Sequence, residues 1–324
     1  MSLTELAPID PSQSPITVGI AGVGRAVPPG RLYNSELSER LGVDEEWIRK
    51  RTGIHSRGRA DGQRVSELST DAARAALADA GVDAADLDLV LVATVAADEI
   101  TPAAAPLVAH EIGAERAGAI DINAACTGSL SALALACGQI EARRAEKVLV
   151  VGAEVMSRFI DMDDRSTAIL FGDGAGALVL SAGGGGWVGP VVLRSDGGSR
   201  DLIVIQHGGN VEMKGHETFK RAVIEMSAAG LQALSLVGMD PSEVDLFVFH
   251  QANARILHAV TERLELEPDR VLDCIAEIGN TSAASIPLAL AEAHAQGRLT
   301  SGAKILLGAM GAGLTWGAAV LEWP

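Results

Sequence analysis

Cys126 stands in INAACTGSL (122–130), where an apolar strand-like run ends and Thr127-Gly128-Ser129 opens a helical stretch rich in Leu and Ala. A cysteine at such a strand-to-helix elbow lies beside free helix N–H groups and the positive end of the helix dipole. Both favour a thiolate, so the position predicts a lowered pKa and a nucleophile. The segment alone leaves a second reading open, a small buried core cysteine. Cys137, inside the helical run, and Cys274, in VLDCIAEIG, show no such elbow and read as core residues. His250 ends the apolar run VDLFVFH (244–250) and is followed by the small polar loop Gln251-Ala252-Asn253. The carboxyl edge of a buried strand is where α/β proteins place ligand groups. The other six histidines, His55, His110, His207, His216, His258 and His294, read as structural. Asn280 lies in IGNTSAASIPLALAEA (278–293), a polar turn before another Leu/Ala helix. With Thr281 set against Thr127, Cys126 and Asn280 occupy similar elbows, which would face each other with His250 near both. In GAMGAGLTWGAAVLEW (308–323) a Gly-rich turn brings backbone N–H groups to the strand ends.

The elements that must position these residues are α/β. Near-continuous Val/Leu/Ile runs at 16–27, 87–96, 147–156, 176–182, 244–250, 303–310 and 317–323 alternate with helical stretches, as in sheets buried on both faces. One unit is used twice. AARAALADAGVDAADLDLVLVA (72–93) resembles AGLQALSLVGMDPSEVDLFVFH (229–250), pairing Gly81 with Gly238, Asp83 with Asp240 and Asp88 with Asp245, while Lys147 pairs with Lys304. All four pairs share an offset of 157 (238−81, 240−83, 245−88, 304−147). The two glycines fall where a helix ends on a left-handed residue. The repeat predicts a duplicated fold: a mobile tail over 1–15, a first half over 16–182 carrying the cysteine, and a second over 183–324 carrying His250 and Asn280. The joint is placed in SAGGGGWVGP (181–190).

Composition excludes several classes. The 324 residues carry 26 Lys+Arg against 42 Asp+Glu, a formal charge of −16, which argues against nucleic acid or an anionic membrane as the main partner. Aromatics are only 3%, so the core must be Ala, Val, Leu and Ile. No apolar run reaches the ~18 residues of a membrane span, and MSLTELAPIDPSQSP has no basic start or apolar stretch of a signal peptide. Three cysteines, an odd number, are too few for a disulfide framework and suit a reducing compartment, the cytoplasm. No CxxC pair or His/Cys cluster has zinc spacing, so no metal is expected.

DEEWIRKRTGI (44–54), INAACTGSL, FGDGAGALVL (171–180), HQANARI (250–256), GNTSAASIPLAL (279–290) and GAGLTWG (311–317), in this order and spacing, resemble the β-ketoacyl-acyl-carrier-protein synthase III family of the thiolase superfamily. The resemblance runs from about Ile16 to Pro324. It implies a thiolase-like duplicated five-layer α-β-α-β-α fold, a homodimer, and no permanently bound cofactor. It implies decarboxylative condensation of an acyl-CoA primer with malonyl-acyl-carrier protein through an acyl-Cys126 intermediate. His250 and Asn280 complete the catalytic set, and the N–H groups of Cys126 and Ala312 form an oxyanion hole. Trp47 and Arg51 match the pair that sandwiches the adenine of CoA, and Arg165 a further CoA contact. Gly215, Asn253 and Arg255 match the pantetheine channel. Lys220 and Arg255 match the basic patch that receives the carrier protein.

Four departures accompany the resemblance. Ala312 replaces a usual Gly and would be strained if the site needs a positive φ. Glu262-Arg263 replaces a usual basic pair. Thr101 stands where relatives often carry a Phe donated across the dimer to close the acyl pocket, and Ser129 and Ser131 replace aromatics. Together the smaller residues predict a primer longer or more branched than acetyl. The segment 195–220 is shorter than usual and borders that pocket. Within the same fold, acyl transfer to alcohols or amines and primer loading in secondary metabolism stay open. A degradative thiolase would need a second cysteine in 311–317, and a hydroxymethylglutaryl-CoA-synthase-like reaction a glutamate base. Neither is matched. The reading from another class is a non-catalytic acyl-CoA-binding subunit.

Overall fold

The computed structural model describes residues 10, 11 and 16–324; nearly all of the tail expected at 1–15 lies outside the described residues. Each long apolar run of the sequence is a strand. The first half carries β1 (Val18–Ala26), β2 (Gly30–Tyr33), β3 (Ser56–Arg59), β4 (Leu89–Ala93), β5 (Gly118–Ile122), β6 (Lys147–Glu154) and β7 (Gly174–Ala182). Its α-helices are α1 (Asn34–Leu41), α2 (Glu45–Thr52), α3 (Val65–Ala80), α4 (Ala104–Ile112) and α5 (Gly128–Glu141). The second half carries β8 (Trp187–Val188), β9 (Val192–Ser195), β10 (Ile203–Ile205), β11 (Val211–Met213), β12 (Leu246–Phe249), β13 (Lys304–Gly311) and β14 (Thr315–Glu322). Its α-helices are α6 (Gly215–Val237), α7 (Ala254–Arg263), α8 (Ile275–Ile278) and α9 (Ser285–Ala295).

Two five-stranded sheets result. The first has the order β1-β7-β6-β4-β5, with β4 parallel to both β5 and β6. The second has the order β12-β13-β14-β8, with β9 also on β14 and β12 parallel to β13. Alternation along β6 sets the layers. Val148 and Val150 face inward onto α5 and α9, which lie between the sheets with Leu307 and Leu321 of the second sheet against them. Leu149 and Val151 face outward onto α3. Leu306 and Val320 meet α6 and α7 on the opposite outer face. The order is therefore helix, sheet, helix, sheet, helix. The central helices are Leu/Ala-rich nearly all round because they are covered on both sides.

The duplication extends to hydrogen bonds. Gly81 and Gly238 end α3 and α6 at φ +61° and +68°. Asp83 accepts from Ala85 N and Asp240 from Ser242 N. Asp88 accepts from Lys147 N, and Asp245 from Lys304 N. β6 and β13 occupy matching positions at the offset of 157. The offset then breaks, because 155–173 separates β6 from β7 while only 312–314 turns β13 into β14. The chain passes from the first sheet to the second through Gly183–Gly186.

Candidate active site

Cys126 is the middle residue of a one-turn 3-10 helix, Ala125–Thr127, that feeds directly into α5. Ala125 before it is left-handed at φ +47°. Ser282 is left-handed at φ +48° and opens an equivalent turn, Ser282–Ala284, before α9. These two residues are 157 apart, and so are Gly128 and Ser285, the first residues of α5 and α9. The elbows therefore superpose three residues away from the sequence expectation. Thr127 corresponds to Ala284, Cys126 to Ala283, and Asn280 to Asn123. The misalignment arose because both elbows contain a Thr beside small residues. The asparagines do the same local job: Asn123 Oδ1 accepts from Ala125 N at 3.4 Å and Asn280 Oδ1 from Ser282 N at 2.9 Å. This bond fixes the Asn280 amide and leaves its Nδ2 as the group free to donate.

The strand ends press on the opposite elbows. A side-chain carbon at Gly311, the end of β13, would lie 2.7 Å from Cys126 N, so only glycine fits there. At the matching end of β6, Glu154 instead fills the space, bonded to Ser282 and Ala283 of the second elbow.

Cys126, His250 and Asn280 line one cavity of about 1400 Å³. His250 follows β12, is 2% exposed, and is held by its N–H on Gly308 O. Burial pushes it down to about 4, so the ring is neutral at pH 7. Its buried Nδ1 meets no hydrogen-bond partner among the described residues. An orphaned acceptor costs less than an orphaned N–H, so the proton belongs on Nε2. Ala312 lines the same cavity in the β13–β14 turn and is not left-handed, so alanine is unstrained there.

The cysteine departs from expectation in one respect. Burial pushes its thiol up to about 12; Ser282 pulls it down and Glu154 pushes it further up. Desolvation, which disfavours the charged thiolate, is the largest of these causes.

The remaining expected residues distribute along the same cavity. Trp47, Arg51, Arg165, Gly215, Lys220, Asn253 and Arg255 all line it. α2 places Trp47 and Arg51 one turn apart, with the guanidinium 4.4 Å from the indole centroid, so a ring entering between them must displace Arg51. Asn253 caps α7 by accepting from Arg255 N, and the Arg255 guanidinium lies 5.8 Å from the Phe219 ring. Arg51, Arg165, Lys220 and Arg255 form no ion pair among the described residues, whereas Arg40, Arg49, Arg64, Arg158 and Arg221 each do. Glu262 pairs with His258.

Thr101 is exposed and outside the cavity of its own chain, so its expected place is in a partner's cavity. Two expectations need correction. Ser129 and Ser131 do not line the cavity, since α5 faces the sheets, so they open no space there. His207 and His216, read as structural, do line it, because the short 195–220 segment folds partly into the β10–β11 hairpin over its wall. Of the remaining cysteines, Cys137 is buried, but Cys274 is only half-buried and borders a separate small cleft. Among the described residues no cluster of His, Cys, Asp or Glu is placed to hold a metal, and no helix is long and apolar enough to cross a membrane. Sequence reasoning missed two residues beside the elbows, Glu154 and Ser282. Glu154 had one readable signal, a carboxylate ending an otherwise apolar strand run.

Residues 120–197 match the family profile described as 3-oxoacyl-[acyl-carrier-protein] synthase III, and residues 234–323 match its C-terminal profile. A β-ketoacyl-[acyl-carrier-protein] synthase III 2 of Streptomyces coelicolor is 45% identical over 309 residues, 94% of this chain and 93% of the relative. A synthase III of Rhodospirillum rubrum is 45% identical, covering 94% and 98%. Among solved structures, 3-oxoacyl-(acyl carrier protein) synthase III of Pseudomonas aeruginosa PAO1 superposes with a TM-score of 0.92 at 41% identity, covering 95% and 98%. The priming β-ketosynthase of the R1128 polyketide pathway superposes at 0.92 with 34% identity, covering 99% and 98%.

Proposed function

Because this chain belongs to the 3-oxoacyl-[acyl-carrier-protein] synthase III family, we propose that its cavity condenses an acyl-CoA primer with malonyl-acyl-carrier protein through an acyl-Cys126 intermediate. The observation that carries this reading is the convergence of Cys126, His250 and Asn280 on one cavity with a cationic lining. Cys126 attacks the thioester and CoA leaves. The malonyl group then loses CO2, and its enolate oxygen takes hydrogen bonds from His250 Nε2 and Asn280 Nδ2. The carbanion attacks the acyl-cysteine, whose oxyanion rests on the N–H groups of Cys126 and Ala312. Neutral His250 suits this role, since it donates without carrying charge into a dry site. No metal or permanent cofactor enters the scheme.

The test crosses acetyl-, isobutyryl- and octanoyl-CoA with malonyl-carrier protein and follows CO2 release and β-ketoacyl product. Turnover with at least one primer is expected, with acetyl not preferred, because Met156, Phe159, Leu170, Val211 and Met213 leave a wide apolar wall. Product without CO2 release would favour simple acyl transfer. A clear acetyl preference would overturn the reading of the pocket.

Both substrates are anionic, and the body of the protein carries −16. Capture must then rest on the few unpaired cations of the mouth. Lys220→Glu is expected to raise the KM for malonyl-carrier protein about tenfold at low salt, less at high salt, with little change in kcat. An unchanged KM would remove Lys220 from the docking surface.

We also infer a homodimer built on β5. This strand is the unpaired edge of the first sheet, is half exposed, and presents Ile120 at 49% exposure. In such a pair the exposed loop with Ile100 and Thr101 is available to the partner's cavity. A solution mass of 33.4 kDa, rather than twice that, would exclude it. Three free cysteines suit the cytoplasm.

A further inference from the structure

Arg57, in β3, is 1% exposed, a guanidinium buried whole outside the cavity lining. No carboxylate pairs with it among the described residues, and its Nε meets no hydrogen-bond partner there. Burial and the neighbouring Arg31 push it down only to about 10, so it stays charged at pH 7. A buried cation without a counter-ion is costly. Its remaining donors go to three acceptors. Nη1 donates to Asn34 Oδ1 at 3.0 Å and to Leu32 O at 3.4 Å, and Nη2 donates to Ile169 O at 2.8 Å. Asn34 is itself held, since its Nδ2 donates to Ile54 O at 2.7 Å. The guanidinium therefore ties Ile169 to β2 and to the start of α1.

Ile169 opens the strip 169–172, whose first three residues line the cavity. The next carbonyl, Leu170 O, accepts from Asn280 N at 2.9 Å, and Gly172 N donates to Asn280 O at 3.0 Å. Phe171 and Asn280 thus form a parallel bridge. The Arg57 stem presses on both sides of it. A side-chain carbon at Gly172 or at Gly279 would lie 3.0 Å from Arg57 Cβ. Gly279, at φ +68° and ψ −164°, occupies a region that essentially only glycine adopts, and it turns the chain into Asn280. The far end of the strip is secured separately, by Asp173 N on Gly58 O and by Ala60 N on Asp173 Oδ2. Arg57 secures the near end, where Asn280 is attached.

We propose that Arg57 is a positioning residue for condensation, holding the 169–172 strip and Gly279 so that Asn280 presents Nδ2 to the enolate oxygen. This deepens the proposed function and rests on Asn280 being a donor to that oxygen. The bond from Ser282 N to Asn280 Oδ1 orients the amide, and Arg57 sets where the amide stands. Releasing the near end of the strip lets Leu170 O drift and carries the Asn280 backbone with it. A misplacement of about 1 Å is enough to cost a reaction about 100-fold. Acylation makes no use of that donor, so only the second half-reaction should respond. An aliphatic side chain would fill the same space without burying charge. Only a rigid fork of donors reaches Asn34 and Ile169 together.

Arg57→Met keeps an unbranched stem and removes every donor. At saturating acyl-CoA its rate of acyl-Cys126 formation, read by mass spectrometry, is expected to stay within about threefold of wild type. Condensation of the pre-acylated protein with malonyl-carrier protein is expected to fall about 10–100-fold in kcat, with the KM for the carrier protein little changed. A merely structural arginine would lower both half-reactions by one factor, and that result overturns the proposal. A second measurement repeats the substitution in Asn280→Ala. With the donor gone, Arg57→Met should cost condensation less than about threefold more. The full loss in that background also overturns the proposal. Arg57→Lys keeps the charge and reaches only one of Asn34 and Ile169. It is expected to lose condensation about three- to tenfold with acylation retained, and it decides the matter if Arg57→Met does not fold. Condensation at the wild-type rate in the deciding variant overturns the proposal as well. The proposed function fails separately. No acyl adduct in the wild type sinks it, whereas wild-type adduct and turnover with parallel losses in the variants sink the role of Arg57 alone.

Discussion

Cys126→Ala is expected to abolish the acyl adduct formed with acyl-CoA and to lower condensation by about 10⁴-fold or more. Without the sulfur no covalent intermediate can form, and the remaining cavity supplies only binding and hydrogen bonds. The substitution is a clean one. Alanine keeps the Cβ that Gly311 packs against, and the elbow is set by Ala125 and the start of α5, not by the thiol. Melting temperature should therefore change little. Cys137→Ala serves as the control, since that thiol is buried in the central helix layer and outside the cavity. It should leave the adduct mass intact. Persistence of the adduct in Cys126→Ala would move the nucleophile elsewhere. Absence of any adduct in the wild type would revive the binding-subunit reading.

Much of this was legible before any coordinates, for a physical reason. Strands buried on both faces have to be continuous runs of Val, Leu and Ile, so β4, β6, β12 and β13 announced themselves. The repeat was legible because the residues that end helices and start strands are chemically constrained: Gly81 and Gly238 by their left-handed conformation, Asp88 and Asp245 by the N–H groups they accept. The elbows were harder. Both are made of small residues, and small residues carry little identity, so Thr127 was matched to Thr281 instead of Ala284. The offset of 157 held the answer, since it also pairs Asn123 with Asn280.

Ionisation was less legible still. A helix terminus is visible in sequence and argues for an acidic thiol. Desolvation depends on which walls close around the sulfur, and those walls come from the other half of the chain, at Ser282 and from Gly311. The mouth shows the same limit. A charge of −16 is a sum, whereas substrate capture depends on which cations lack partners. Arg51, Arg165, Lys220 and Arg255 come from four separate segments, and the fold brings them to one cavity with no ion pair to any of them among the described residues, while the lining carboxylates Asp98 and Glu99 are held by Arg64 and Arg158.

His250→Ala and Asn280→Ala are each expected to lower condensation by about 10²–10³-fold, the usual effect of removing one donor from a developing oxyanion. Acylation of Cys126 should survive in both, which splits the two half-reactions. The bond from Ser282 N to Asn280 Oδ1 points the amide Nδ2 at the cavity, so Asn280→Asp replaces a donor by an acceptor and should be at least as damaging as alanine. The double variant should fall well short of the product of the singles, because both donors serve one oxygen. Starting from pre-acylated protein, condensation should show no inflection near 6.5. His250 is held down to about 4 by burial, so it is neutral above that value and becomes charged only as pH falls through it. Absence of that inflection leaves His250 as a neutral donor. An inflection near 6.5 in condensation, absent from His250→Ala, would instead mean that the imidazole titrates in solvent, and the dry, neutral donor would have to be given up.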